Sequence, residues 1–175
     1  QARAVQDRFE VWLQMTDFSP SASGSRRGFE DKIKIYKPNK TGSGGAIQLD
    51  LNEPKRCVFL EAASQKPGEL QAFDWASKIV FKLSDTDISK LVAVLDNRTK
   101  AVNIFHDPSK SSLVSETTVK NSAISLSKGD FGYFFKATSQ SKDGALKAVQ
   151  IPLSEDEAVL LSTLLKHALV KISGW

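Results

Sequence analysis

Residues 78–95 read KIVFKLSDTDISKLVAVL, and the spacing of the apolar residues changes within this stretch. Ile79, Phe81 and Leu83 alternate with other residues, which predicts a β-strand with one buried face. Ser84 can cap a helix that follows, and acidic residues fill its first turn. Apolar residues then recur three or four positions apart, at Ile88, Leu91, Val92 and Leu95. The stretch therefore predicts a strand that leads directly into an α-helix.

Three further strands are predicted before this one, and the second half of the chain repeats the order. The first three strands are predicted at Lys32–Lys37, Arg56–Ala62 and, between them, Ala46–Leu51. Four more are predicted at Val102–His106, Thr117–Leu126, Phe131–Thr138 and Ala145–Pro152, with turns at 128–130 and 142–144. A closing helix begins with a capping box, Ser154 and Glu157, and runs to about Ile172. Two β-β-β-β-α halves are thus expected, which is an α+β fold.

The N-terminal part differs from this body. Residues 1–15 predict a short helix or an extended arm, and residues 19–28 form a loop of small residues that carries Arg26 and Arg27. This loop is either a linker or a mobile basic finger. We expect an arm and flexible loop over residues 1–28 and a single domain over residues 29–175.

Composition limits the classes of function. The 175 residues carry a net charge of +4, which suits an anionic partner but does not demonstrate one. Cys57 is the single cysteine, so an intrachain disulfide framework is excluded and a reducing compartment is favoured. No apolar run approaches the roughly 20 residues of a membrane span, so no membrane partner is expected. A cleaved targeting peptide could have preceded Gln1.

Candidate catalytic residues are few. His106 and His167 lie far apart in the sequence, and neither has a partner at metal-ligand spacing. His106 and Asp107 could form half of a nucleophile relay, but a loop-capping role after a strand is the simpler interpretation. The glycines of residues 42–45 lack the lysine of a phosphate-binding P-loop. We therefore predict no enzyme, no cofactor and no metal site.

Strand alternation points to nucleic acid instead. Residues two apart share a face of a sheet, so lysines recur on the predicted polar faces, while Asp50 and Glu61 are the main acidic candidates there. The alternative is a merely solvated face. The predicted RNA-binding residues are Lys32, Lys34, Tyr36, Arg56, Lys78, Lys82, Lys120, Lys136 and Lys147. Tyr36, Phe131 and Tyr133 could also stack on bases, but phosphate contact with little sequence reading is the simpler expectation.

The closing helix has apolar residues around most of its circumference, from Val159 to Ile172. This is wider than the stripe of about 100° that a one-sided surface helix needs. One side can pack on the sheet of the same chain. The other side predicts a second subunit, unless another element of the same chain covers it.

Several strings in this order resemble a known family. Residues 73–84 (FDWASKIVFKLS), 105–108 (FHDP) and 172–175 (ISGW) resemble the Whirly family of plant single-stranded-DNA-binding proteins, and the similarity extends over roughly residues 32–175. The resemblance implies a Whirly-like fold of two antiparallel sheets with packed helices. Residues 32–37 read KIKIYK where the plant family carries KGKAAL. This departure puts the plant transcription and DNA-repair roles in doubt.

The departure, together with residues 8–12 (RFEVW), looks more like the kinetoplastid mitochondrial RNA-binding proteins that share the Whirly fold. That resemblance implies binding of guide RNA, its annealing to pre-edited messenger RNA in mitochondrial RNA editing, and a heterotetramer with a paralogous subunit. The alternative is a Whirly-type single-stranded-DNA-binding organelle protein in transcription or genome maintenance. A structural subunit without nucleic acid and a hydrolase that uses His106 and Asp107 are weaker alternatives.

Overall fold

A computed structural model describes residues 32–108 and 118–175. Eight strands form two four-stranded antiparallel sheets with the orders β1-β2-β3-β4 and β5-β6-β7-β8. The first-half strands are β1 (Ile33–Lys37), β2 (Gly45–Asn52), β3 (Cys57–Ser64) and β4 (Ile79–Leu83). Those of the second half are β5 (Ala101–His106), β6 (Val119–Gly129), β7 (Gly132–Ser141) and β8 (Leu146–Leu153). Helix α1 (Asp85–Leu95) follows β4 and helix α2 (Glu155–Ser173) follows β8, which confirms the two β-β-β-β-α halves.

One face of each sheet and the inner faces of both helices form a common core. β8 contacts β2 and β3, and α1 packs along α2. The two sheets approach each other closely at Gly45, where an added Cβ would lie 2.7 Å from Val149 Cγ1. Alternate residues of a strand point to opposite faces of the sheet, and residues that point to the same face have the same parity. In each strand one parity is buried in the core, so the residues of the other parity form an open face of each sheet.

The two helices begin as predicted. The Ser84 hydroxyl accepts a hydrogen bond from Asp87 N–H at 3.3 Å, and Ser84 N–H donates to the Asp87 carboxylate at 3.1 Å. Ser154 N–H likewise donates to Glu157 at 2.9 Å. Gly174 follows the last residue of α2, and its φ of 77° is the left-handed conformation that favours glycine after a helix. Among the described residues, no helix is long and apolar enough to cross a membrane.

Some predicted boundaries were wrong. Arg56 belongs to the β2–β3 turn, with φ 48°, and not to β3. β6 continues to Gly129, because the turn that joins it to β7 lies at residues 130–131, and β7 continues to Ser141. The predicted arm and loop of residues 1–28 and the predicted start of a strand at Thr117 lie outside the described residues. The domain division after residue 28 stays a prediction.

Candidate nucleic-acid interface

The open face of the first sheet is basic. Strand pairing places Lys34 opposite Gln48 and Lys82 opposite Phe59 on this face, while Ile35 and Phe81 point into the core. Lys32 precedes β1 and Lys78 precedes β4, both with the parity of the open face. The face carries four lysines (Lys32, Lys34, Lys78 and Lys82) and two carboxylates (Asp50 and Glu61). The predicted inward and outward faces of β1 and β4 are therefore confirmed.

A hydrogen-bond network crosses the centre of this face. Glu61 on β3 accepts from the Gln48 side chain of β2 and from Lys78 Nζ at 2.8 Å. Burial acts to raise the pKa of Glu61, but the hydrogen bonds from Lys78 and Gln48 outweigh it and the pKa is lowered. Glu61 is therefore ionised at neutral pH and holds Lys78 at the β4 edge. Strand alternation had predicted Glu61 as an acidic residue on the polar face, but it did not predict the contact with Gln48.

Tyr36 lies at one end of the open face, where the β3–β4 connection folds back over the sheet. Its side chain is 48% exposed, and its ring centroid is 5.4 Å from that of Phe73. Phe73 is buried over Ala46 and Ala63, with Trp75 packed beside it. Phe73 thus covers part of the Tyr36 side chain, and the exposed part can still meet a ligand.

Two cations lie near the β2–β3 turn. Lys55 Nζ lies 5.5 Å from the centroid of the Phe59 ring, a cation–π contact that the sequence did not reveal. Arg56 Nη2 lies 3.2 Å from the position that a Cβ would take at Gly174, at the C-terminal end of α2. The partial negative charge of a helix C-terminus favours an arginine there. Arg56 therefore lies beside α2 at the end of the sheet.

The open face of the second sheet has a different chemistry. Lys136 is exposed on this face, opposite Ser125 and Gln150, as predicted. Its neighbours on the face are mostly hydroxyl and amide side chains, with Phe105 and Phe134 exposed by 64% and 63%. Among the described strands, the lysines therefore concentrate on the open face of the first sheet. The exposed phenylalanines were not predicted, although strand alternation places both on this face.

Lys120 is exposed on its strand, as predicted, whereas Lys147 does not lie on the face where it was predicted. Lys120 is exposed at an irregularity in the β6–β7 register between Val119 and Asn121. Lys147 pairs with Ser139 and has the parity of buried Val149, so it lies on the inner side of the second sheet. Its Nζ donates to the Ser77 carbonyl at 3.4 Å. The expectation that Lys147 lies on the open face was wrong.

Tyr133 is not available to stack on a base. It is 2% exposed, and its hydroxyl lies 3.1 Å from both the Leu95 carbonyl and Asn97 Oδ1. The ammonium group of Lys128 lies over its ring. Tyr133 therefore fixes the C-terminal end of α1 against β7, and its predicted stacking role is corrected. Phe131, at the tip of the β6–β7 turn, is fully exposed.

The remaining candidate residues have structural surroundings. His106 Nε2 lies 3.1 Å from Asp87 Oδ2, and its ring packs against the edge of Phe81. Cys57 is buried, and burial raises the pKa of its thiol. Over residues 32–108 and 118–175, no group of three or more histidine, cysteine or carboxylate side chains could hold a metal ion.

Known proteins resemble this chain in sequence and in fold. The mitochondrial single-stranded DNA-binding protein WHY2 of Arabidopsis thaliana is 24% identical over 134 residues, which are 75% of this chain and 52% of that protein. The chloroplastic protein WHY1 of the same plant is 27% identical over 107 residues, 61% of this chain and 40% of that protein. The chain thus spans about half the length of these relatives or less.

Solved structures of other proteins share the fold. Crystalline WHY1 from Arabidopsis thaliana superimposes with a TM-score of 0.67 at 24% identity, covering 85% of this chain and 93% of that chain. A guide-RNA-binding protein complex bound to a guide RNA gives a TM-score of 0.61 at 14% identity, covering 86% and 97%. The family model described as Whirly transcription factor matches residues 32–164, so this chain belongs to the Whirly family.

Proposed function

We propose that this chain binds single-stranded RNA, guide RNA in particular, and promotes its annealing to pre-messenger RNA in mitochondrial RNA editing. The observation that carries the proposal is the excess of positive charge on the open face of the first sheet, which carries four lysines and two carboxylates. Lysine ammonium groups neutralise phosphates and release their counterions, which gives affinity with little dependence on sequence. Lys136 on the second sheet and exposed Lys120 extend the same chemistry.

The shape of this surface favours single strands over duplexes. Proteins that read the major groove usually insert a helix rich in basic residues. In the described part of the chain, α1 carries Lys90 alone, and α2 carries Lys166 and Lys171. A wide basic sheet instead follows a flexible backbone.

Backbone contact also explains how binding would promote annealing. If lysines hold the phosphates, the base edges stay turned toward solvent and can pair. Neutralised charge lowers the repulsion between two incoming strands. Tyr36 packs on Phe73, and Tyr133 is buried, so two of the three aromatic residues expected to sequester bases are partly or fully committed to the protein.

The partner of this chain is proposed to be a paralogous subunit, in a heterotetramer. Val159, Leu160 and Val170 of α2 are exposed by 67%, 47% and 57%. Several large apolar side chains exposed along one helix favour a protein interface on that helix. α1 covers another side of α2, so the neighbour within the chain accounts for only part of the helix surface.

The mitochondrial location rests on the resemblance to the kinetoplastid proteins and agrees with the name of WHY2, although WHY1 is chloroplastic. The same surface chemistry suits a binding protein that is not an enzyme and uses no cofactor. Single-stranded DNA is the alternative ligand, because WHY1 and WHY2 are both named for it.

The ligand is tested by binding to matched RNA, single-stranded DNA and duplex oligonucleotides at several salt concentrations. We expect single strands to bind more tightly than duplex, and RNA at least as tightly as DNA. Tighter binding of single-stranded DNA would support the alternative. If the protein still binds one sequence much more tightly than others at high salt, phosphate contacts do not provide most of the affinity.

Annealing is tested by the rate at which a guide-like RNA pairs with its complement. We expect acceleration by the wild-type protein, loss of acceleration in the Lys34→Ala/Lys82→Ala variant, and little change in Tyr36→Ala. If the wild-type protein slows annealing, it protects single strands and the annealing proposal fails.

A further inference from the structure

A cleft of about 400 Å³ lies between the two sheets, next to the β4 edge of the first sheet. It adjoins the open face at the β4 edge, where Lys78 and Val80 border both. One wall comes from β4 and the 3₁₀ turn before it (Trp75–Ser77), and the other comes from β6, β7 and the start of β8. Its polar lining consists mainly of serine hydroxyl groups and two lysines. The serines are Ser77, Ser122, Ser139 and Ser141, and the lysines are Lys78 and Lys147.

The two lysines connect the cleft to the proposed RNA-binding face. Lys78 Nζ is held 2.8 Å from Glu61 on the open face, while its side chain also lines the cleft. Lys147 comes from the opposite sheet, and its Nζ donates a hydrogen bond to the Ser77 carbonyl at 3.4 Å. An ammonium group has three donors, so Lys147 can also contact a phosphate.

The volume and lining of the cleft fit a single nucleotide. Small-molecule sites usually measure about 300–1,000 Å³ and combine apolar walls with a few polar groups. Val80 and Val119 supply apolar surface for the plane of a base. Hydroxyl groups both donate and accept hydrogen bonds, as ribose hydroxyls and base edges require.

We infer that this cleft holds one nucleotide of the bound single strand, turned off the first sheet at the β4 edge, with its phosphate near Lys78 and Lys147. The inference rests on the proposed function, since the strand must already lie on the open face. It assigns a role to Lys147 on the inner side of the second sheet, although Lys147 was predicted on the open face.

The direct test is photo-crosslinking of a 12-nucleotide oligouridylate that carries 4-thiouridine, followed by digestion and mass spectrometry. We expect adducts in peptides that contain residues 76–80 or 139–147. Ala145 lines the cleft, and Ala145→Trp would fill it without changing charge. That variant should lose these adducts and bind the oligonucleotide several-fold more weakly.

Lys147→Ala supplies a second measurement that does not depend on the larger substitution. Loss of one phosphate contact should reduce the salt slope by about 0.7. Lys90→Ala removes the same charge from an exposed position of α1, away from the cleft, and should change nothing. Circular dichroism checks the fold of each variant, and Lys147→Ala decides the matter if Ala145→Trp does not fold.

The outcomes separate this inference from the proposed function. If Lys34→Ala/Lys82→Ala weakens binding while Lys147→Ala and Ala145→Trp bind normally and no adducts form in the cleft, the cleft is not a nucleotide site and the proposed function stands. If none of these variants binds differently from wild type, both proposals are wrong.

Discussion

The Lys34→Ala/Lys82→Ala variant tests whether phosphates provide the affinity. Lys34 lies on β1 and Lys82 on β4, at opposite edges of the first sheet. Three strand spacings of about 4.8 Å separate them across the sheet, roughly 14 Å, so they should contact different phosphates. The double variant should therefore lose two phosphate contacts.

The expected effect follows from counterion release. Each neutralised phosphate of a single strand contributes about 0.7 to the log–log salt slope, so two contribute about 1.4. Between 50 and 200 mM salt, a fourfold change, the affinity ratio of wild type to variant should shrink by about 7-fold. The variant should thus be weaker at low salt and approach wild type at high salt, for every sequence alike.

Fluorescence anisotropy with a labelled oligouridylate at four KCl concentrations measures both slopes. Lys90→Ala/Lys100→Ala is the matched control, because it removes two exposed lysines from α1 and the turn after it. Parallel salt dependences for wild type and Lys34→Ala/Lys82→Ala would refute the phosphate-contact reasoning, and an equal change in the control would show that only net charge matters.

Three further predictions concern stability and assembly. Tyr133→Phe leaves the Leu95 carbonyl without its hydroxyl donor, so the free energy of unfolding in urea should fall by about 1–2 kcal/mol while RNA binding is unchanged. The hydrogen bond from Lys166 lowers the pKa of Asp96, so this carboxylate stabilises the fold above the unfolded pKa of about 3.9 and less as pH falls through the folded pKa. The stability difference between wild type and Asp96→Asn should accordingly shrink below about pH 4, and a difference independent of pH would contradict this. Leu160→Lys should shift the oligomer toward monomer in light scattering, and a wild-type species of about 19 kDa at all concentrations would exclude the oligomer.

Strand and helix periodicity predicted most of the fold because each strand buries one parity of its side chains. Lys34, Lys82 and Lys136 lie on open faces for this reason. Tyr133 and Lys147 obey the same rule, although Tyr133 was predicted to be available for stacking and Lys147 to lie on an open face. Tyr133 has the parity of buried Phe135, and Lys147 has the parity of buried Val149, so the sequence contained both corrections.

Other features depended on tertiary structure. The β3–β4 connection folds back over the sheet and places Phe73 beside Tyr36, which are 37 positions apart in the sequence. The cleft likewise needs residues of two sheets, and no local pattern relates Lys78 to Lys147. Such contacts are set by how the sheets pack and not by the period of either one.

The two halves of the chain share one order of elements but not one surface. Strand pairing gives each sheet an open face, yet the first carries four lysines whereas the second carries Lys136 among hydroxyl and amide groups and two exposed phenylalanines. The repeated architecture therefore does not itself create a nucleic-acid site, since the buried parity determines the fold and the open parity is left to vary. Glu61 shows how a residue on the open face can contribute to the surface without contacting the ligand. A carboxylate repels phosphate, but here it holds Lys78 at the β4 edge, where the open face meets the cleft.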